Sequence, residues 1–93
     1  MDTSILVIED DSNIQELIVE FLKAEGYDVD FANDGIEGIQ MFKKKEYGLI
    51  LLDVMMPNLD GFSVCKMIRQ TSNVPIIFLT ALNEVFIDLN MED

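Results

Sequence analysis

The stretch Leu49-Ile50-Leu51-Leu52-Asp53 decides the fold. An apolar run without polar alternation predicts a strand buried on both faces, as in parallel sheets covered by helices. The run stops at a carboxylate and gives way to Val54-Met55-Met56-Pro57-Asn58-Leu59-Asp60-Gly61, a loop punctuated by Pro57 and Gly61. Ligands of open α/β sheets bind beyond the carboxyl ends of the strands, so Asp53 is expected at the lip of that crevice. A second apolar run, Ile5-Leu6-Val7-Ile8, also ends in acid, at Glu9-Asp10-Asp11. If the two strands are neighbours, their carboxylates converge and repel one another unless a cation joins them.

Helical and extended patterns alternate around these two runs. Ser12 and Gln15 have the spacing of a capping box. Ile14, Leu17, Ile18, Phe21 and Leu22 follow at the spacing of an amphipathic helix, and Gly26 is a plausible stop. Tyr27, Val29 and Phe31 alternate with Asp28 and Asp30, which predicts a partly exposed strand. Ile36, Ile39 and Phe42 predict a short second helix with Lys43, Lys44 and Lys45 in its last turn, a solvated end suited to the macrodipole. Phe62, Cys65 and Ile68 carry a third helix, and residues 74–79 a fourth strand ending at Thr80. Leu82, Val85, Phe86 and Leu89 keep a helical period to the end. This βαβαβαβ(α) order implies a parallel sheet with right-handed crossovers.

Ninety-three residues, 49% of them hydrophobic, suffice for one domain with a narrow stability margin. Six basic against eighteen acidic residues give a net charge of −12. That balance argues against direct contact with nucleic acid or an anionic membrane and favours a cation or a basic protein surface. The single cysteine, Cys65, permits no internal disulfide and reads as an inert buried thiol. The acidic start lacks the basic region of a signal peptide, and no apolar run approaches a membrane span, so a cytoplasmic location is expected.

The chemistry is narrowed by what the first βα turn lacks. Glu9-Asp10-Asp11 stands where a dinucleotide site needs a glycine-rich loop, and it would repel a pyrophosphate. There is no Walker loop, no G-x-S-x-G elbow, and no histidine for a triad or a zinc site. An oxygen-only set suits Mg²⁺, a hard ion that keeps several waters and commonly partners phosphate. An aspartate can itself accept a phosphoryl group as an acyl phosphate, and Thr80 could present a hydroxyl to that group. A phosphoacceptor site without enzymatic activity is one expectation for such a set. A Mg²⁺-dependent phosphohydrolase of the haloacid dehalogenase kind ranks low, because it needs a second aspartate where Met55 stands.

The motifs ILVIEDD (5–11), LILLDVMMPNLDG (49–61) and VPIIFLTA (74–81) together resemble the receiver domain of two-component response regulators, most closely the winged-helix OmpR/PhoB-type class. The resemblance runs from about Thr3 to Leu82, with motif order and spacing in agreement. It implies a flavodoxin-like (CheY-like) doubly wound α/β sheet of strand order 2-1-3-4-5. It also implies Asp53 as phosphoacceptor, Glu9 and Asp10 as Mg²⁺ ligands with the Met55 backbone carbonyl, and Thr80 as switch hydroxyl. Pro57 and Gly61 would shape the loop after the acceptor. The implied partner is a sensor histidine kinase, and the implied output is control of transcription.

Against that pattern, residues 1–93 are expected to form one incomplete receiver, without the usual fifth strand and fifth helix. No lysine follows Thr80. A degenerate receiver that acts as an interaction or dimerisation module is the alternative reading. Strand 74–79 is then expected to be a bare, apolar sheet edge that drives self-association, with Ile76, Phe78, Leu82, Phe86 and Leu89 lining the contact.

Overall fold

The computed structural model describes residues 3–79 and the backbone of residues 85–88. The elements are β1 (Ser4–Ile8), α1 (Ser12–Ala24), β2 (Asp28–Ala32), α2 (Gly35–Phe42), β3 (Leu49–Asp53), α3 (Gly61–Arg69), β4 (Ile76–Leu79) and β5 (Val85–Asp88). They build one five-stranded sheet of order β2-β1-β3-β4-β5. The first four strands are parallel, with Ile8 opposite Leu52 and Leu52 opposite Phe78.

The unbroken apolar run of β3 is explained by its position between β1 and β4, with side chains entering both layers. Ile50 and Leu52 point with Leu6, Ile8, Ile76 and Phe78 into the larger core, closed by Val64, Cys65 and Ile68 of α3 and by Ile39, Met41 and Phe42 at α2. Each fully buried aliphatic of this kind contributes roughly 1.5–3 kcal/mol of transfer free energy. The other face carries a smaller core, in which Ile5, Val7 and Val29 meet Val19, Ile18 and Leu22 of α1. Leu49, Leu51, Ile77 and Leu79 are only half-buried.

Four local expectations change in the folded chain. Helix α1 is capped by Asp11, whose carboxylate accepts the N–H groups of Asn13 and Ile14, so Ser12 and Gln15 form no capping box. The stripe that α1 buries is Gln15, Ile18, Val19 and Leu22, leaving Ile14, Leu17 and Phe21 exposed. Helix α2 ends at Phe42, so the three lysines lie beyond its last turn. Lys45 turns back to the amino end of the sheet and pairs with Asp28 at 2.9 Å and Asp30 at 3.0 Å. Both partners are surface groups, so the pairing contributes little to stability.

The fourth change concerns the end of the chain. Where a helical period was expected over residues 82–89, Val85–Asp88 is a strand, antiparallel to β4 with Phe78 opposite Phe86. Val85-Phe86-Ile87 is rich in β-formers, and a hairpin satisfies the backbone groups along β4 that a bare edge would leave open. β4 is therefore not an edge, and Ile76 and Phe78, expected to line a dimer contact, are core residues. The fifth strand of this sheet runs antiparallel to β4, not parallel to it. Leu82 and Leu89, and the side chain of Phe86, lie outside the described residues.

Candidate functional site

The site follows from the register of β1 and β3. Because Ile8 lies opposite Leu52, the residues that come next, Glu9 and Asp53, emerge side by side at the carboxyl end of the sheet. The ladders continue one step past both strands. The Glu9 N–H donates to the Ala32 carbonyl at 3.2 Å, and the Val54 N–H donates to the Leu79 carbonyl at 3.0 Å. Both acidic residues are thus held by sheet backbone, although their side chains belong to the crevice.

Glu9, Asp10 and Asp53 each bring a carboxylate oxygen within 4.8 Å of the others. Glu9 is 4% and Asp53 is 9% exposed, whereas Asp10 faces solvent. Two backbone donors steady the buried pair. The Asp11 N–H donates to Glu9 Oε2 at 3.1 Å, and the Met55 N–H donates to Asp53 Oδ1 at 3.2 Å. Burial, opposed by the Asp11 N–H and reinforced by Asp53, pushes the Glu9 carboxyl up to about 7. Burial also raises Asp53, partly offset by the hydrogen bond from Glu9. Burial and the neighbouring like charges thus both favour the protonated form at this pair in the absence of a cation.

Such a cluster can hold a cation. Its donors are all oxygen, which suits Mg²⁺ over softer metals. The ion pairs between described residues are those of Lys45 with Asp28 and Asp30, at the opposite end of the sheet. An open cleft of about 630 Å³ also lies at that far end, lined by residues 42–48 and 71–75.

The other expected site residues are distributed around the acids. Met55 lies in the loop after β3, is 69% exposed, and reaches Asp53 through its N–H. Thr80, the expected switch hydroxyl, lies outside the described residues. In the same loop Leu59 N–H donates to the Pro57 carbonyl at 2.8 Å across Asn58, which sits at φ 73°. Asn58 is thus a shaping residue beside Pro57 and Gly61, and asparagine is among the few residues that tolerate this region. Gln15 was also missed. It is 7% exposed, and its amide donates to the Glu9 carbonyl, so it belongs to the site although it lies on a helix.

The response regulator receiver domain family matches over residues 5–93. A probable transcriptional regulator ycf27 of Porphyridium aerugineum is 48% identical over 81 residues, covering 87% of this chain and 34% of that protein. The chain spans about a third of the length of the curated relatives it matches. Among solved structures, the response regulator TrrA of Thermotoga maritima in complex with Mg²⁺–BeF is 41% identical with TM-score 0.81, covering 85% of this chain and 70% of that one. TrrA in complex with the histidine kinase ThkA superposes with TM-score 0.82 at 40% identity, covering 88% of this chain and 72% of that one.

Proposed function

The chain belongs to the response regulator receiver domain family, and on that premise we propose that it accepts a phosphoryl group on Asp53 from a histidine kinase in a Mg²⁺-dependent reaction. The convergence of Glu9, Asp10 and Asp53 carries this reading. Glu9, Asp10 and Asp53 would hold the ion, with the Met55 carbonyl as a further candidate ligand. When bound, Mg²⁺ supplies charge neutralisation for the acids and for the incoming phosphoryl oxygens.

The chain's own groups prepare the nucleophile. The Met55 N–H holds Asp53 Oδ1 and leaves Oδ2 to attack phosphorus, forming the P–O bond as the P–N bond of the kinase phosphohistidine breaks and the imidazole leaves. Burial raises both Glu9 and Asp53, so both carboxyls must release their protons before they can hold the ion and before Asp53 can attack. The acyl phosphate would form on a mostly buried carboxylate at the carboxyl end of the sheet, beside the solvent-facing Asp10. TrrA, captured with its kinase, supports this choice of donor. The longer relatives include transcriptional regulators, which supports control of transcription as the output, and a cytoplasmic location is proposed for this chain. No helix among the described residues is long and apolar enough to cross a membrane.

Incubation with acetyl phosphate and Mg²⁺, followed by mass spectrometry, tests the reading. One hydroxylamine-labile phosphoryl group is expected on Asp53, and Asp53→Asn should abolish labelling while the fold persists. Label on a serine or threonine would refute the site. An unlabelled chain that still binds Mg²⁺ at Glu9 and Asp53 would favour the interaction-module reading instead.

A further inference from the structure

We infer that Gln15 is a positioning residue that pre-sets Glu9 for the cation, an inference that rests on the Mg²⁺ reading above. Gln15 lies in the first turn of α1 with its side chain turned inward. Its amide nitrogen is 3.0 Å from the Glu9 carbonyl, 3.2 Å from the Ala32 carbonyl and 3.0 Å from Asn33 Oδ1. Two N–H groups are thus shared among three acceptors. Because the Glu9 and Ala32 partners are backbone carbonyls, the Gln15 amide orientation is forced, since a flipped group would turn its own oxygen toward them.

The result is a clamp on Glu9. The Ala32 carbonyl receives both the Glu9 N–H and the Gln15 amide, and the Gln15 amide also binds the Glu9 carbonyl. The Glu9 backbone is therefore held at its donor and at its acceptor, while Asp11 N–H holds the carboxylate. The clamp reaches further through Asn33, which accepts from Gln15 and whose N–H donates to Glu37 Oε1 at 2.6 Å, so Gln15 also ties the start of α1 to the β2–α2 turn. Mutually repelling carboxylates gain affinity for a cation when the protein gathers them beforehand. Partners that orient a metal ligand are typically worth about 10–100-fold in affinity.

The test uses the whole chain, with MgCl₂ titrated against the Glu9, Asp10 and Asp53 amide resonances and with global stability measured in urea. Gln15→Met keeps length and packing but removes both donors. It should weaken Mg²⁺ binding by about 10-fold. Hydrogen exchange should quicken at Glu9 while the Leu6 and Ile50 amides exchange in step with global stability. With acetyl phosphate, the half-saturating Mg²⁺ concentration should rise, and the labelling rate at saturating Mg²⁺ should stay within about twofold of the parent. Asn33→Ala, at an exposed position, removes one acceptor and should weaken binding by about two- to threefold. It serves as the deciding variant if Gln15→Met does not fold. Unchanged Mg²⁺ affinity in the folded variant overturns the clamp alone. Absence of saturable binding at Glu9 and Asp53 in the parent chain overturns the metal reading and the clamp together.

Discussion

Gly61→Ala is expected to destabilise the chain by about 3 kcal/mol, enough to raise the unfolded population more than about a hundredfold at 25 °C. Gly61 opens α3 directly behind the end of β3. A Cβ there would collide with the Asp53 carbonyl oxygen and carbon and with the Val54 Cα. These are backbone atoms, so no rotamer change relieves the clash. The approach is fixed from both sides. The Gly61 N–H donates to the Val54 carbonyl at 3.0 Å, and Asp60 caps the helix through the Ser63 N–H at 2.9 Å. Relief requires moving either the start of α3 or the peptide of the proposed acceptor. The folded fraction of the variant should therefore also label more slowly with acetyl phosphate, unlike a variant that only empties the core. Urea unfolding measures the first effect and labelling per folded molecule the second. A midpoint equivalent to less than about 0.5 kcal/mol of change would show that the strand-to-helix junction gives way easily.

The parts legible in the sequence share one cause. Strand β3 reads clearly because a strand buried on both faces leaves an apolar run, and Asp53 reads clearly because that run ends in charge. Glu9 and Asp10 follow by the same logic from β1. Where several apolar stripes compete, local pattern has no such handle. Helix α1 carries apolar residues at 14, 17, 18, 19, 21 and 22, enough for two overlapping faces. The face chosen is the one that brings Gln15 onto the Glu9 and Ala32 carbonyls. A capping-box spacing at 12 and 15 disguised that role, because glutamine can donate inward as readily as it caps. The final strand was hidden for a related reason. Val85-Phe86-Ile87 fits either a helical or an extended period, and only the open backbone of β4 decides between them. Lys45 was read as helix-end charge because its partners, Asp28 and Asp30, lie on a strand far away in sequence.

Without a divalent cation, the chain should lose stability as pH rises from about 4.5 to about 7, and Mg²⁺ should reverse that loss. Glu9 has an ordinary value of 4.5 and is raised to about 7 in the fold. Across that window the folded chain keeps a proton that the unfolded chain has released. Stability from this group is thus fully present below about pH 4.5 and disappears as pH climbs through 7. Asp53, also raised, acts with the same sign. The surface acids Asp28 and Asp60, lowered mainly by Lys45 and by the Ser63 N–H respectively, act oppositely, and their contribution vanishes as pH falls below about 3.8. The expected loss from Glu9 is on the order of 1–3 kcal/mol. The window is unusually clean, because the chain has no histidine to titrate within it. Growing self-repulsion in a chain of net charge −12 also weakens the fold as pH rises, so Glu9→Gln is the necessary control. It should flatten the decline that belongs to the site and leave the general one. Mg²⁺ needs the ionised carboxylates, so its stabilising effect should grow with pH, reaching about 2.7 kcal/mol at a hundredfold excess over its dissociation constant. Urea titrations at pH 5 and 8, with and without MgCl₂, measure both slopes. A metal-free chain more stable at pH 8 than at pH 5 would mean that burial does not raise Glu9 and Asp53. Asp53 would then stand ionised for attack even without a cation.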